Sequence, residues 1–489
     1  MKTNILNRYG SSILFNLLIL SALFNLAGKS AIAQDKIELK NAKELTGRIV
    51  DGQSIREAKG DVEFVQGNVK VFCNSAIQYM TTNRVELTGN VRIYQDTLTL
   101  FTDKAVYYGD ERRAVCNGAV TLKDPNATLR SDNGVYTFND AKAFFKGDVI
   151  IVNPDYRITS DELIYLRNSE ESYATGNVIV TTDSATIRAD KIDFLKREGR
   201  TFARSNVIIE SDSTIIKADT ATNYSNERRS VATGNVSINS VNNNTVAYAD
   251  RLENFERDRF TKLTSNAMLI QIEDNRDTLM INCDTMLAVR TYPESYVALS
   301  NVEIIRDNFF SKCGEAKYFK EVETISLNRQ PIVWQDNLQL TGDSIYAELP
   351  GKKLQSIYAK RISEMQGSAE SFAISKNADS NFAVRFDQIS GNEIAIRFDD
   401  DKISNIDVTG NARSIYFMYE QDRGNGLNRI EGNELIIYFD TEEKLSKIKV
   451  ISDPKGEYVP ESLIQTVNRS LPGFLPRDDK PLRRVLKEM

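Results

Sequence analysis

The stretch Ala174-Thr175-Gly176-Asn177-Val178-Ile179-Val180 decides the fold, because its centre recurs along the chain in a fixed register. Thr-Gly-Asn-Val also stands at 88–91 and 233–236, and Thr-Gly-Asn-Ala at 409–412. Aligned on the glycine, Gly60, Gly89, Gly118, Gly147, Gly176, Ser205 and Gly234 fall at steps of 29, each followed two positions on by valine. A second column keeps the same step: Asn74, Asp103, Asp132, Asp161, Asp190 and Asp219. From Asp103 onward a small residue precedes each Asp, and Leu or Ile stands three positions before it. Self-similarity at a fixed period of roughly 20–50 residues is the mark of a stacked architecture.

Within each unit the pattern is that of a strand. Val91/Ile93, Val149/Ile151, Val178/Val180, Val207/Ile209 and Val236/Ile238 alternate with other residues at period two. Turn residues separate these runs in two interleaved sets. Asp124-Pro125-Asn126, Asn153-Pro154-Asp155 and Thr182-Asp183-Ser184 belong to one, and Gly109-Asp110, Asn139-Asp140 and Glu198-Gly199 to the other. Each pass between turns is about 10–12 residues, long for one flat strand of ~5–6. A Gly-Asn or small-Asp element lies mid-pass, where glycine marks a bend or bulge and Asn or Asp is expected to bond the local backbone. The expected fold is all-β: an elongated repeat of antiparallel bent strands forming an open β-jelly-roll, with two sheets facing across a crease. The alternative is a parallel β-helix with one 29-residue coil per turn. Equivalent positions would be ~4.8 Å apart in that coil, against ~9.5 Å in the antiparallel stack.

Residues 1–33 read as a cleaved signal peptide: Lys2 and Arg8, an apolar run of 15 residues from Ile13 to Ala27, then Ala31-Ile32-Ala33 before Gln34. The run is shorter than the ~20 residues a membrane-spanning helix needs. Residues 34–260 carry the regular repeat and 261–453 a looser continuation. Ser265-Asn266-Ala267, Ser300-Asn301-Val302, Gly367-Ser368-Ala369 and Gly410-Asn411-Ala412 are its later copies, with a long loop expected at Asn377–Asn381. Five of the ten prolines fall in residues 454–489. That tail is expected not to extend the ladder, because proline cannot donate to it, and to be either a cap on the last strand or an extended arm.

Composition narrows the chemistry. The chain has no histidine, which removes Ser-His-Asp and Cys-His catalysis and histidine metal sites. Its four cysteines, Cys73, Cys116, Cys283 and Cys313, contain no CxxC pair. The net charge of −6 becomes −9 when Lys2, Arg8 and Lys29 leave with the signal peptide. That acidity argues against a nucleic-acid partner. Successive Asp residues of the second column are too far apart, two strands, to share a calcium ion. The same separation argues against a Cys283–Cys313 bridge. The basic pairs Arg112-Arg113 and Arg228-Arg229 read as solvated turns.

The Thr-Gly-Asn-Val-x-Ile unit and the unit that follows it (Thr102-Asp103-Lys104-Ala105-Val106-Tyr107; Ala189-Asp190-Lys191-Ile192-Asp193-Phe194), behind a signal peptide, resemble the OstA-like family over roughly residues 40–450. The resemblance implies a bent-strand jelly-roll that holds the acyl chains of lipopolysaccharide, or a similar glycolipid, in its crease. It implies a periplasmic bridge in a Gram-negative bacterium that docks by edge-strand pairing with LptC-like and LptD-like transport components, with no cofactor and no enzymatic activity. The chain is longer than the family's short members and lacks a stretch reading as an outer-membrane barrel. On this reading the candidate lipid-lining residues are Val91, Ile93, Leu100, Tyr107, Val149, Ile151, Ile158, Tyr165, Val178, Val180, Ile187, Phe194, Val207, Ile209 and Ile216. The same alternation suits a dry core, which would make the chain a structural or adhesive rod without lipid cargo. A β-helical polysaccharide enzyme is a third reading, but every acidic candidate has a turn or bend explanation.

Overall fold

A computed structural model describes residues 36–482, apart from residues 126, 241, 243, 274–275, 363–368, 377–383, 401, 421–422 and 443–444. The signal peptide, the repeat copy at Gly367-Ser368 and the Asn377–Asn381 loop lie outside the described residues. Among the described residues 32 strands are hydrogen-bonded into one continuous sheet, and their pairings are antiparallel. From Gln53–Gln66 to Phe309–Phe319 each strand pairs with the next in sequence, the meander that the alternating turns predict. A parallel coil is excluded.

Every such strand slips its register at the middle. In Glu171–Thr181, Thr175 pairs with Lys191 and Val178 with Ala189, so Gly176 and Asn177 bulge out of the ladder. Both residues are left-handed, with φ of +78° and +45°. Ser205 and Asn206 repeat the geometry at +62° and +53°, as do Ser265-Asn266 and Ser300-Asn301 in the looser part. Two consecutive left-handed residues turn every second strand sharply, the small-Asp strands between them follow the same bend where the register slips, and each pass contributes one half to each of two facing sheets.

The second column differs from expectation. From Asp161 onward its carboxylates take the side-chain amide of the next bulge rather than the local backbone. Asn177 Nδ2 donates to Asp161 Oδ2 at 3.0 Å, Asn206 to Asp190 at 2.9 Å, Asn235 to Asp219 at 3.0 Å, and Asn266 to Asp250 at 2.9 Å. The bulge throws the Asn side chain toward the preceding strand, where the Asp already stands. The result is a run of Asn–Asp clasps along the ridge of the crease.

Beyond Phe309–Phe319 the bend opens into a break. Thr324–Asn328 and Ile332–Gln335 both pair with Phe309–Phe319, one on each side of the crease. The next three passes are split likewise, so the two half-sheets run separately until Lys402–Glu420 and Arg423–Phe439 span both again. The tail also corrects expectation. Lys455–Pro460 forms a strand on the edge of Arg423–Phe439, because Pro454 and Pro460 only bracket it and leave the donors between them intact.

After Pro460 the chain turns back across the outer face as a strap. Gln388 Nε2 donates to Arg469 O at 2.8 Å while its Oε1 accepts from Leu471 N at 2.8 Å. Gln339 grips Leu475 O (2.9 Å) and Arg477 N (2.7 Å) in the same manner, and Trp334 Nε1 donates to Arg477 O at 3.1 Å. The strap covers an outer-face cluster that includes Phe372, Ile374, Ile415, Phe417 and Leu427, with Ile464 and Leu471 as its own contribution.

Candidate functional site

The crease interior is built from ranks of residues that the ladder register places side by side. On one sheet the rank runs Ile93, Leu100, Leu122, Leu129, Ile151, Ile158, Val180, Ile187, Ile209, Ile216, Ile238. Val91, Val149, Val178 and Val207 lie beside it, nearer the bend, because residues two apart share a face. On the facing sheet a rank near the mouth runs Tyr107, Ala114, Tyr136, Ala143, Tyr165, Ser172, Phe194. All fifteen candidates are therefore brought to one interior surface.

That surface changes character along its length. Ile93 and Leu100 are fully enclosed, and Tyr107 and Tyr136 are at most 1% exposed. Val91, Val149, Ile151, Ile158, Val178, Val180 and Val207 are also buried. Tyr165, Ile187, Phe194 and Ile209 are only half-buried against the same core, and so is Ile216. The buried core divides at this place, one cluster ending at Val207 and a second beginning at Ala218. Side-chain size explains the change. At the step of the repeat where the enclosed end has Leu87 and Phe145, the next section has Ala203 and Ala232, and the aliphatic rank itself reaches Ala247 beside Ile238. Alanines on facing sheets cannot span the gap that Phe and Tyr fill.

At the enclosed end the two lips are tied together. Gln66 Nε2 donates to Gly109 O at 2.8 Å and Tyr107 OH donates to Gln66 Oε1 at 2.6 Å. Arg112 donates to Asn68 Oδ1 at 2.6 Å, Gln95 to Phe138 O at 3.3 Å, and Arg167 to Thr97 Oγ1 at 2.9 Å. Tyr156 and Phe194 then stack across the mouth, their ring centroids 6.5 Å apart and nearly parallel. Arg112 is therefore a cross-lip tie rather than a solvated turn. The sequence pattern takes Gln95-Asp96 only as a turn and gives Gln66 no role, although their spacing of 29 is a usable signal.

The remaining chemistry is quiet. All four cysteines are free and buried. Burial pushes the thiols of Cys73 and Cys283 up to about 11, and those of Cys116 and Cys313 up to about 12. They are poor nucleophiles in that state. Two concavities of about 510 and 400 Å3 lie outside the crease, one lined by Lys70, Phe72, Arg92 and Tyr94, the other by Arg361, Glu370, Arg413 and Pro472. No helix among the described residues is long and apolar enough to cross a membrane.

Comparison with known families agrees with this geometry. Residues 34–190 match the family described as OstA-like protein. Residues 157–286 match that described as LptA/(LptD N-terminal domain) LPS transport protein. The two matches overlap and together run from the tied end into the half-buried section. A search of curated proteins gave no match.

Proposed function

The chain belongs to the OstA-like and LptA group of lipopolysaccharide-transport families over residues 34–286, and on that basis we propose that it is a periplasmic bridge carrying acyl chains in its crease. The observation that supports this reading most is the passage of one continuous aliphatic rank from enclosed, at Ile93 and Leu100, to half-buried, at Ile187, Ile209 and Ile216. These half-buried aliphatics stand side by side on one sheet and are held short of full burial, which an acyl chain lying along them completes. Each methylene so removed from water contributes about 0.8 kcal/mol. These contacts have no direction, so a chain can slide from one pass to the next without breaking hydrogen bonds. Movement toward the outer membrane then needs a push from elsewhere rather than chemistry in this chain, and the cargo is lipopolysaccharide or a related glycolipid.

Partners of the LptC and LptD kind would meet the ends of the stack. Glu44–Val50 is an exposed edge whose outer hydrogen-bonding side faces no other described strand, with Leu45, Ile49 and Val50 exposed. Such an edge accepts an added strand. The test is in-cell photo-crosslinking from position Ile187. A lipid adduct supports the reading, whereas a position that captures no lipid in cells, together with a lipid-free mass on gentle extraction, leaves a rod without cargo.

A further inference from the structure

The rank that plugs the mouth with Tyr107, Tyr136, Tyr165 and Phe194 continues as Thr201, Asn223, Ser230 and Asn254. The column that supplies an aromatic ring every 29 residues supplies Asn223 at its next step. Across the mouth, the lip that carries buried Gln66 and Gln95 at its enclosed end carries Thr214, Ser240 and Thr245 further on. Ring and cross-lip tie are thus exchanged together for small or hydrated side chains, over the same passes in which alanine replaces Leu and Phe inside. One exchange alone is a variation of packing; the three coinciding make a chamber with an open side.

We propose that cargo occupies this chamber only, from about Thr186 to Val289, entering sideways between its polar lips, and that the section from Val62 to Phe145 is a closed stopper that no acyl chain enters. The inference rests on the lipid reading above and divides the crease within it. A chain bound there would reach or leave the N-terminal end by the open side, not by threading through the rod. Asn223 and Asn254 become the residues that set where the mouth is open, by being too short and too hydrated to meet the facing lip.

The test uses the purified full chain, carrying a compact photo-activatable diazirine amino acid at Ile209, Ile238, Ile93 or Leu122, with lipopolysaccharide as the probe. Thermal melts establish that each protein is folded. Adducts are expected at Ile209 and Ile238, with at least about ten-fold fewer at Ile93 and Leu122. Equal capture at all four positions overturns the stopper while leaving the lipid reading intact. Capture at none of them overturns the lipid reading and this inference together. In a second arm, Asn223→Tyr with Asn254→Tyr restores the plugging rank and is expected to cut capture at Ile238 by about ten-fold. Undiminished capture in that folded variant overturns the role given to the lips.

Discussion

At Gly176 the backbone is left-handed, and a Cβ placed there would stand 2.2 Å from Asp161 Oδ2. Conformation and space both demand glycine, so Gly176→Ala should destabilise the fold by about 1–3 kcal/mol, read from urea denaturation. Asn177→Ala and Asp161→Ala should each cost less, about 0.5–1.5 kcal/mol, and the double variant should fall short of their sum because both remove one clasp. The glycine was legible in the sequence because a positive φ restricts residue choice. Its Asp partner was not, since that contact joins different strands and follows only once the bulge is placed.

A second residue carries a pH signature. Burial pushes the Asp387 carboxyl up to about 7, opposed by the hydrogen bond it accepts from Phe417 N at 2.9 Å. That bond serves a donor just beyond the last backbone pair, Gln388 with Ile415. A carboxyl whose pKa rises on folding binds more protons when folded, so its contribution to stability is lost as pH rises. The loss should run from about pH 4 to 7 and amount to at most about 4 kcal/mol. Asp387→Asn keeps an acceptor and carries no charge. It should melt above the parent at pH 8 and should lack that decline.

Among elements, the strap shows how little composition says about docking. Five prolines marked residues 454–489 as outside the ladder, yet a strand fits between Pro454 and Pro460 and the described residues after it fold onto the outer face. Nothing in the tail announces its partners, because Gln339 and Gln388 belong to strands whose outward positions read as ordinary solvent-facing sites. Gln388→Ala leaves Arg469 O and Leu471 N without their partner under an apolar cover, at a cost of about 1–3 kcal/mol. Hydrogen exchange should then quicken at Leu471, while amides in the Glu171–Thr181 strand keep their protection. Equal quickening in both would mean that the strap is not a local element.

For the whole molecule, stacking at ~4.8 Å per pass gives a rod on the order of 100 Å long, which small-angle scattering should show as a cross-section nearly constant along its length. This much was legible from the period alone. The change in the crease was harder to read, because period-two alternation is identical for a dry core and for a lined groove. The step from Tyr107, Tyr136, Tyr165 and Phe194 to Asn223 is where the sequence records it most plainly.

The alternation of the two bend elements also fixes the parity of the chain. A Gly-Asn pass always meets a small-Asp pass, as Glu171–Thr181 meets both Arg157–Leu166 and Thr186–Leu195. Inserting one pass would reverse every strand after it, set bulge against bulge, and exchange the lips. Inserting two restores each residue to its own sheet and side. The molecule can therefore lengthen or shorten only by even numbers of passes. The 29-residue repeat, not the strand, is the smallest change of length that leaves one unbroken crease.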